Sequence, residues 1–148
     1  MITRIILTME TTDGRPPSMY WSYNLYAQLL RGVDEQYAAA LHDTGLKPIS
    51  QYLQTQKNTP RARWVVNLLT EQAREAFLPV LMSTTDWPVE KQGAVLRVID
   101  IDASTVIEEA DLVERNFRDG PPPTRVKLEL LTPCAFKTEG EYAVFPSP

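Results

Sequence analysis

One cysteine, Cys134, and one histidine, His42, occur among the 148 residues. A disulfide within the chain is therefore excluded, and a zinc site cannot be assembled from one copy of it. A single cysteine also fits a reducing compartment. No run of about 18 apolar residues is present, so nothing in the sequence reads as a membrane-spanning helix. The opening segment MITRIILTMETTDGR has too short an apolar stretch, and no small-residue cleavage site, for a secretory signal. The expectation is a soluble cytoplasmic protein without membrane contact. Of the six glycines (14, 32, 45, 93, 120 and 140) no two lie close together, so there is no glycine-rich phosphate cradle. Acidic residues are missing altogether between Asp43 and Glu71.

That last gap matters because the overall charge is −4, with a pI near 5.0, which by itself disfavours a nucleic-acid binder. The charge is unevenly spread. Residues 1–75 carry 8 basic and 7 acidic side chains, whereas residues 76–148 carry 7 and 12. The acid-free window holds Lys47, Lys57, Arg61 and Arg63, and reads either as a local positive surface or as an ordinary solvated face. With 43% apolar and 23% charged residues, the chain has the make-up and the length of one globular domain, spanning 1–148.

Residues 2–9, ITRIILTM, read as a buried strand. After a loop broken by Gly14 and Pro16–Pro17, helical spacing predicts a helix from about Met19 to Arg31, with Tyr23, Tyr26 and Leu30 on one stripe and Leu25 and Leu29 beside it. Asp34 suits the N-cap of a second helix that buries Tyr37 and Leu41, and Gly45 suits its left-handed end. A strand begins at Pro48. In RARWVVNLL, Arg61, Arg63, Val65 and Asn67 alternate with Ala62, Trp64, Val66 and Leu68, which completes a hairpin. A helix capped by Thr70 runs through TEQAREAFLPVLMSTTDW, with Ala73, Phe77 and Leu81 inward and Pro79 as a potential kink. Strand material follows at 93–107, then a short acidic helix, then TRVKLELL at 124–131 as a clean alternating strand. The order implies an α+β fold of the ferredoxin-like β-α-β-β-α-β type, with 95–107 as an extra strand and helix insertion.

Three segments carry a resemblance. They are YNLYAQLLRGVDEQYAAALHDTGLKPIS (23–50), the acidic helix after 107, and LLTPCAFKTEGEYAVFPSP (130–148). In this order they resemble the N-terminal half of the CRISPR-associated repeat-RNA-processing endoribonucleases, the "Cas six" type of the RAMP superfamily. The resemblance implies two ferredoxin-like domains in tandem, of which this chain is one. It implies binding of CRISPR repeat RNA in a precursor transcript and a single cut without metal or other cofactor: the 2′-hydroxyl attacks the neighbouring phosphate and leaves a 2′,3′-cyclic phosphate. It further implies a histidine after the first helical pair as general acid/base, matched here only by His42. A lysine falls near Lys47, and a tyrosine is contested among Tyr20, Tyr23 and Tyr26, of which Tyr23 is the candidate taken forward. The family's glycine-rich loop has no counterpart here, so the isolated chain is expected to cleave poorly. Other CRISPR-associated proteins, a second RAMP domain or a second copy of the chain are the implied partners.

Chemistry sets each candidate beside a plainer role. An imidazole is suited to proton transfer near neutrality, yet at a helix end it also caps carbonyls. Lys47 could stabilise charge building on a phosphate. Arg31, Lys57, Arg61 and Arg63 are the candidate RNA contacts. Trp64 could stack on a base, but its alternation places it in the core. Asp100 and Asp102 share a strand face without a third ligand, and Cys134 reads as packing. Two other functions fit the same residues: a non-catalytic RNA-binding or assembly subunit, and an unrelated ferredoxin-like module that dimerises through its sheet.

Overall fold

The computed structural model describes residues 1–43, 47–118, 125, 137–138 and 141–142, with the backbone alone at 42, 43, 116, 118 and the four residues of the last two strands. β1 (Ile2–Thr11) is β-branched and apolar, and its alternate residues Ile5, Leu7 and Met9 are fully buried. Pro16 and Pro17 end the following loop, and the Ser18 hydroxyl accepts from the Tyr20 N–H to start a 3₁₀ turn, Met19–Trp21, that leads into α1 (Ser22–Arg31). α2 (Glu35–Asp43) begins where the Asp34 carboxylate accepts the Tyr37 N–H at 3.1 Å. β2 (Ile49–Thr55) and β3 (Arg61–Leu68) form the expected hairpin, with Asn58 at φ 60° in its turn. The Thr70 hydroxyl accepts from Ala73 N–H and starts α3 (Glu71–Ser83), which contains Pro79.

α3 stops at Ser83. The expected continuation through Trp87 is instead β4 (Asp86–Val89), which pairs with β5 (Ala94–Ile107) across a turn at Gly93 in the left-handed region, φ 57°. α4 (Glu109–Val113), a π turn over Glu114–Arg118, and the short pair β6 (Lys137–Thr138) and β7 (Glu141–Tyr142) complete the described elements. Gly45, Cys134 and the strand expected at 124–131 lie outside the described residues, Arg125 excepted.

The five longer strands form one antiparallel sheet in the order β2-β3-β1-β5-β4. The first four are the ferredoxin-like sheet, so the fold is α+β and ferredoxin-like. One assignment changes. Residues 94–107 are not an embellishment; they supply the strand beside β1, and β4 is the addition. β5 follows β1 over nearly its whole length because two register shifts, between Arg4 and Ile6 and between Thr8 and Met9, let a 14-residue strand bend with its neighbour.

Helices α1 and α3 lie over one sheet face. Their Leu25, Leu29, Ala73, Phe77 and Leu81 meet Ile5, Leu7, Trp64, Val66 and Leu96 in a single core. Trp64 and Trp87 meet edge to face, centroids 4.8 Å apart, and each indole N–H is satisfied, by the Gln51 side chain and the Thr84 carbonyl. Trp64 is thus core, as its alternation implied. Gly32 allows the end of α1 to meet α3: a Cβ there would lie 2.5 Å from Val80 Cγ1.

Candidate functional site

β2 is one edge of the sheet, and the 3₁₀ turn and first turn of α1 lie beside it. This follows from the chain itself: Ser18 starts a turn whose Trp21 is buried, and burial of Trp21 leaves Tyr20 facing solvent. The structure sets Tyr26 apart from Tyr20 and Tyr23. Tyr26 packs against the core, and burial pushes its hydroxyl above the ordinary tyrosine range. Tyr20 and Tyr23 are 73% and 74% exposed. Tyr23 therefore does not share a buried stripe with Tyr26, because Leu25 and Leu29 turn the helix so that its buried face lies elsewhere.

Tyr23 and Tyr20 wall a cavity of about 270 Å³ whose floor is Gln51, Tyr52 and Leu53 of β2. A larger cavity of about 510 Å³ continues along β2 and shares Met19 and Leu53 with the first; Gln54, Arg61 and Arg63 line it. Arg61 and Arg63 lie on the sheet face away from the core, as expected, and both are exposed. Lys57 is exposed in the adjoining turn.

The expected basic surface is partly neutralised by side chains distant in sequence. Arg61 Nε lies 3.4 Å from Glu10, its cross-strand partner in β1. Arg63 has no ion pair among the described residues, though its charge acts on Asp102. The Ser104 hydroxyl first, then the Ser104 N–H and Arg63, hold that carboxyl below its usual range. Arg31 is further away in function as well as in space. It donates to Glu90 at 2.8 Å beside Gln28, and these contacts, Arg31 foremost, lower the Glu90 carboxyl. The structure therefore brings Arg61 and Arg63 to one cavity and places Arg31 in a different cluster. Glu10 and Glu90 were not found by sequence reasoning, since only β-pairing and the β4–β5 turn bring them near.

His42 lies in the last turn of α2, and its imidazole is not among the described side chains. Lys47 is exposed, and its ammonium donates to the Leu41 carbonyl, so a cation sits at the C-terminal end of α2 one residue along the chain from His42. A cation there is favoured by the helix dipole and satisfies an end carbonyl. α1 and α2 are in contact, and Tyr26 and Tyr37 both pack against the core. Asp100 and Asp102 are exposed on the open face, where Ser104 engages Asp102.

The sheet order and the helices on one face define a ferredoxin-like domain, a fold that hosts many unrelated functions. No family model matches the chain. Two CRISPR-associated endoribonucleases Cas6 from Mycobacterium tuberculosis, strains CDC 1551 and H37Rv, are each 27% identical to it over 153 aligned positions, covering 99% of this chain and 47% of theirs. Cas6 of Streptococcus thermophilus is 25% identical, covering 97% and 56%. Two solved Cas6 product complexes share the fold at 20% identity. Their TM-scores are 0.57 and 0.62, covering 71% and 95% of this chain and 40% and 56% of those chains. The chain spans about half the length of the curated relatives it matches.

Proposed function

We propose that this chain is the N-terminal domain of an endoribonuclease that cuts CRISPR repeat RNA in precursor transcripts, acting in the cytoplasm with a second RAMP domain. The observation that carries this reading is the similarity to Cas6 proteins over 99% of the chain, on a shared fold. In the reaction, the 2′-oxygen bonds to the adjacent phosphorus while the bond to the 5′-oxygen breaks, giving a 2′,3′-cyclic phosphate. The 2′-hydroxyl loses its proton to a base and the 5′-oxygen gains one from an acid. His42 is the candidate for proton transfer. Lys47 supplies positive charge at the Leu41 carbonyl near the end of α2, and Tyr23, exposed on the neighbouring helix, is the tyrosine candidate. Arg61, Arg63 and Lys57 offer phosphate contacts. Arg31, engaged by Glu90, supports this less directly.

Supplied with a second domain, in cis or in trans, His42→Ala should bind repeat RNA normally and cut it about 10²–10⁴-fold more slowly. Unchanged cleavage in that variant removes His42 from the chemistry. Normal RNA binding by the paired domains with no cutting in either form favours a non-catalytic RNA-binding subunit. The chain alone should cut poorly, because positioning groups from the other domain are missing; efficient single-site cleavage by the isolated protein would overturn the half-enzyme reading.

A further inference from the structure

We infer that the groove along the outer edge of β2 is a binding lane for single-stranded RNA, taking bases at its tyrosine end and phosphates at its arginine end. This rests on the RNA-processing reading above and adds the form of the ligand and the residues that sort it.

Two uncharged stretches form the lane. Residues 16–30 contain no charged side chain, nor do residues 48–56, in a chain that is 23% charged. The fold lays the start of the first stretch against the second, giving the cavity between Tyr20, Tyr23 and Tyr52. Among the described residues its lining is aromatic, apolar or neutral and polar, with no cation to hold a phosphate and with two exposed rings, Tyr20 and Tyr23, to hold bases. Such platforms bind any unpaired base through its face. Gln51 already accepts the Trp64 N–H at 2.8 Å, so its amide is positioned by the core beneath.

The second cavity shares Met19 and Leu53 with the first, so the two form one continuous path along the strand. At that end the chemistry reverses: Arg61 and Arg63 stand in the lining, and Lys57 is exposed in the turn beyond. The Arg61–Glu10 pair, 3.4 Å long with side chains 64% and 40% exposed, is a surface ion pair that a phosphate can displace. Arg63 stands opposite Gln54, two residues along β2 from Tyr52, and Arg61 two residues further, so at about 3.3 Å per residue the two ends lie roughly 7–13 Å apart and one strand of RNA can use both. A paired helix cannot, because its bases are stacked inside and present no face to a tyrosine.

The test titrates the 148-residue chain at low salt with a short unstructured oligouridylate and with an RNA duplex of the same length. Replacing Tyr20 and Tyr23 with Ala should weaken oligouridylate binding about 5- to 100-fold, leave its salt slope unchanged, and barely alter duplex binding. The Tyr→Phe pair should restore binding, since phenyl rings stack equally well. Arg61→Ala with Arg63→Ala should instead reduce the salt slope for both RNAs. Unchanged single-strand affinity in the tyrosine-to-alanine variant overturns the lane and leaves the RNA-processing reading standing. Absence of any RNA binding by the wild-type chain overturns the lane, and its absence from the paired domains as well overturns both. A dimer in sedimentation that the Tyr52→Ala change dissolves, with RNA binding indifferent to it, would assign this edge to a second copy and also overturn the lane.

Discussion

Arg63 and Trp64 are neighbours in β3 and point to opposite sides of the sheet. Trp64 is fully buried, its indole hydrogen-bonded to Gln51 and packed on Trp87, while Arg63 stands in solvent within reach of Asp102 only through its field. The same contrast runs along β1, where Ile5, Leu7 and Met9 are fully buried and Arg4 is exposed. On the covered face the interactions are apolar, close-packed and independent of salt. On the open face they are ion pairs between side chains that keep much of their hydration. The first kind sets stability, and the second leaves a surface whose partners can be exchanged. Val65 is the exception, only 2% exposed on the open side, flanked across the strands by Ile6 and Tyr52.

The sharpest way to break the comparison is at the covered face. Trp64→Ala should cost about 3–5 kcal/mol, since it removes an indole from a filled site and leaves Gln51 and Trp87 without their partner. Urea denaturation measures this, and a loss no larger than that of an exposed residue would contradict the burial. Gly32→Ala should cost less, about 1–3 kcal/mol, because its new methyl meets Val80 and not the backbone. Adding Val80→Ala should recover part of that loss, and strict additivity of the two changes would show that they do not touch.

Open-face changes should be small for stability and visible elsewhere. Arg61→Ala with Arg63→Ala should move the unfolding midpoint little, about 0.5 kcal/mol or less. The same pair should lower the salt slope of RNA binding by somewhat under one unit for each phosphate that an arginine no longer neutralises. The smallest effect is in acid. The Arg97 guanidinium clamps Asp86 through bonds of 2.8 and 3.1 Å and holds its carboxyl below the usual range, as Arg31 does for Glu90 and Arg15 for Asp13. A carboxyl lowered in the folded state contributes stability above its unfolded value and loses it as pH falls through the folded one. Asp86→Asn should therefore lower stability slightly at neutral pH and flatten the acid limb of the pH–stability curve. Because the pair is exposed, high salt should shrink the difference.

Much of this was legible in the amino-acid order. Alternation in β3 separates Arg61 and Arg63 from Trp64 and Val66, because a strand turns successive side chains to opposite faces whatever surrounds it. The spacing of Ala73, Phe77 and Leu81 marks the buried side of α3, and Thr70 and Asp34 announce helix starts by capping chemistry that needs only local atoms. The similarity to Cas6 proteins is likewise carried by sequence.

Local rules failed where the partner is remote. Asp86–Val89 continues a helical run in sequence, yet it becomes a strand because β5 offers it a register that seats Trp87 on Trp64. Residues 94–107 look like an addition until β1 is seen to lie beside them. Tyr23 sits on an apolar stripe with Tyr26, yet the buried face is set by which side α3 and the sheet approach, and that leaves one ring exposed and the other packed. Charge was the hardest to read. An acid-free window allowed either a basic surface or an ordinary solvated face, and Glu10, far away in the chain, neutralises part of its charge across a strand pair. Backbone geometry, capping and alternation act within a few residues, so the sequence by itself determined most of the elements and the buried faces of β3 and α3. Strand order, ion pairing and the groove beside β2 depend on segments tens of residues apart meeting in space, and only the tertiary structure decided them.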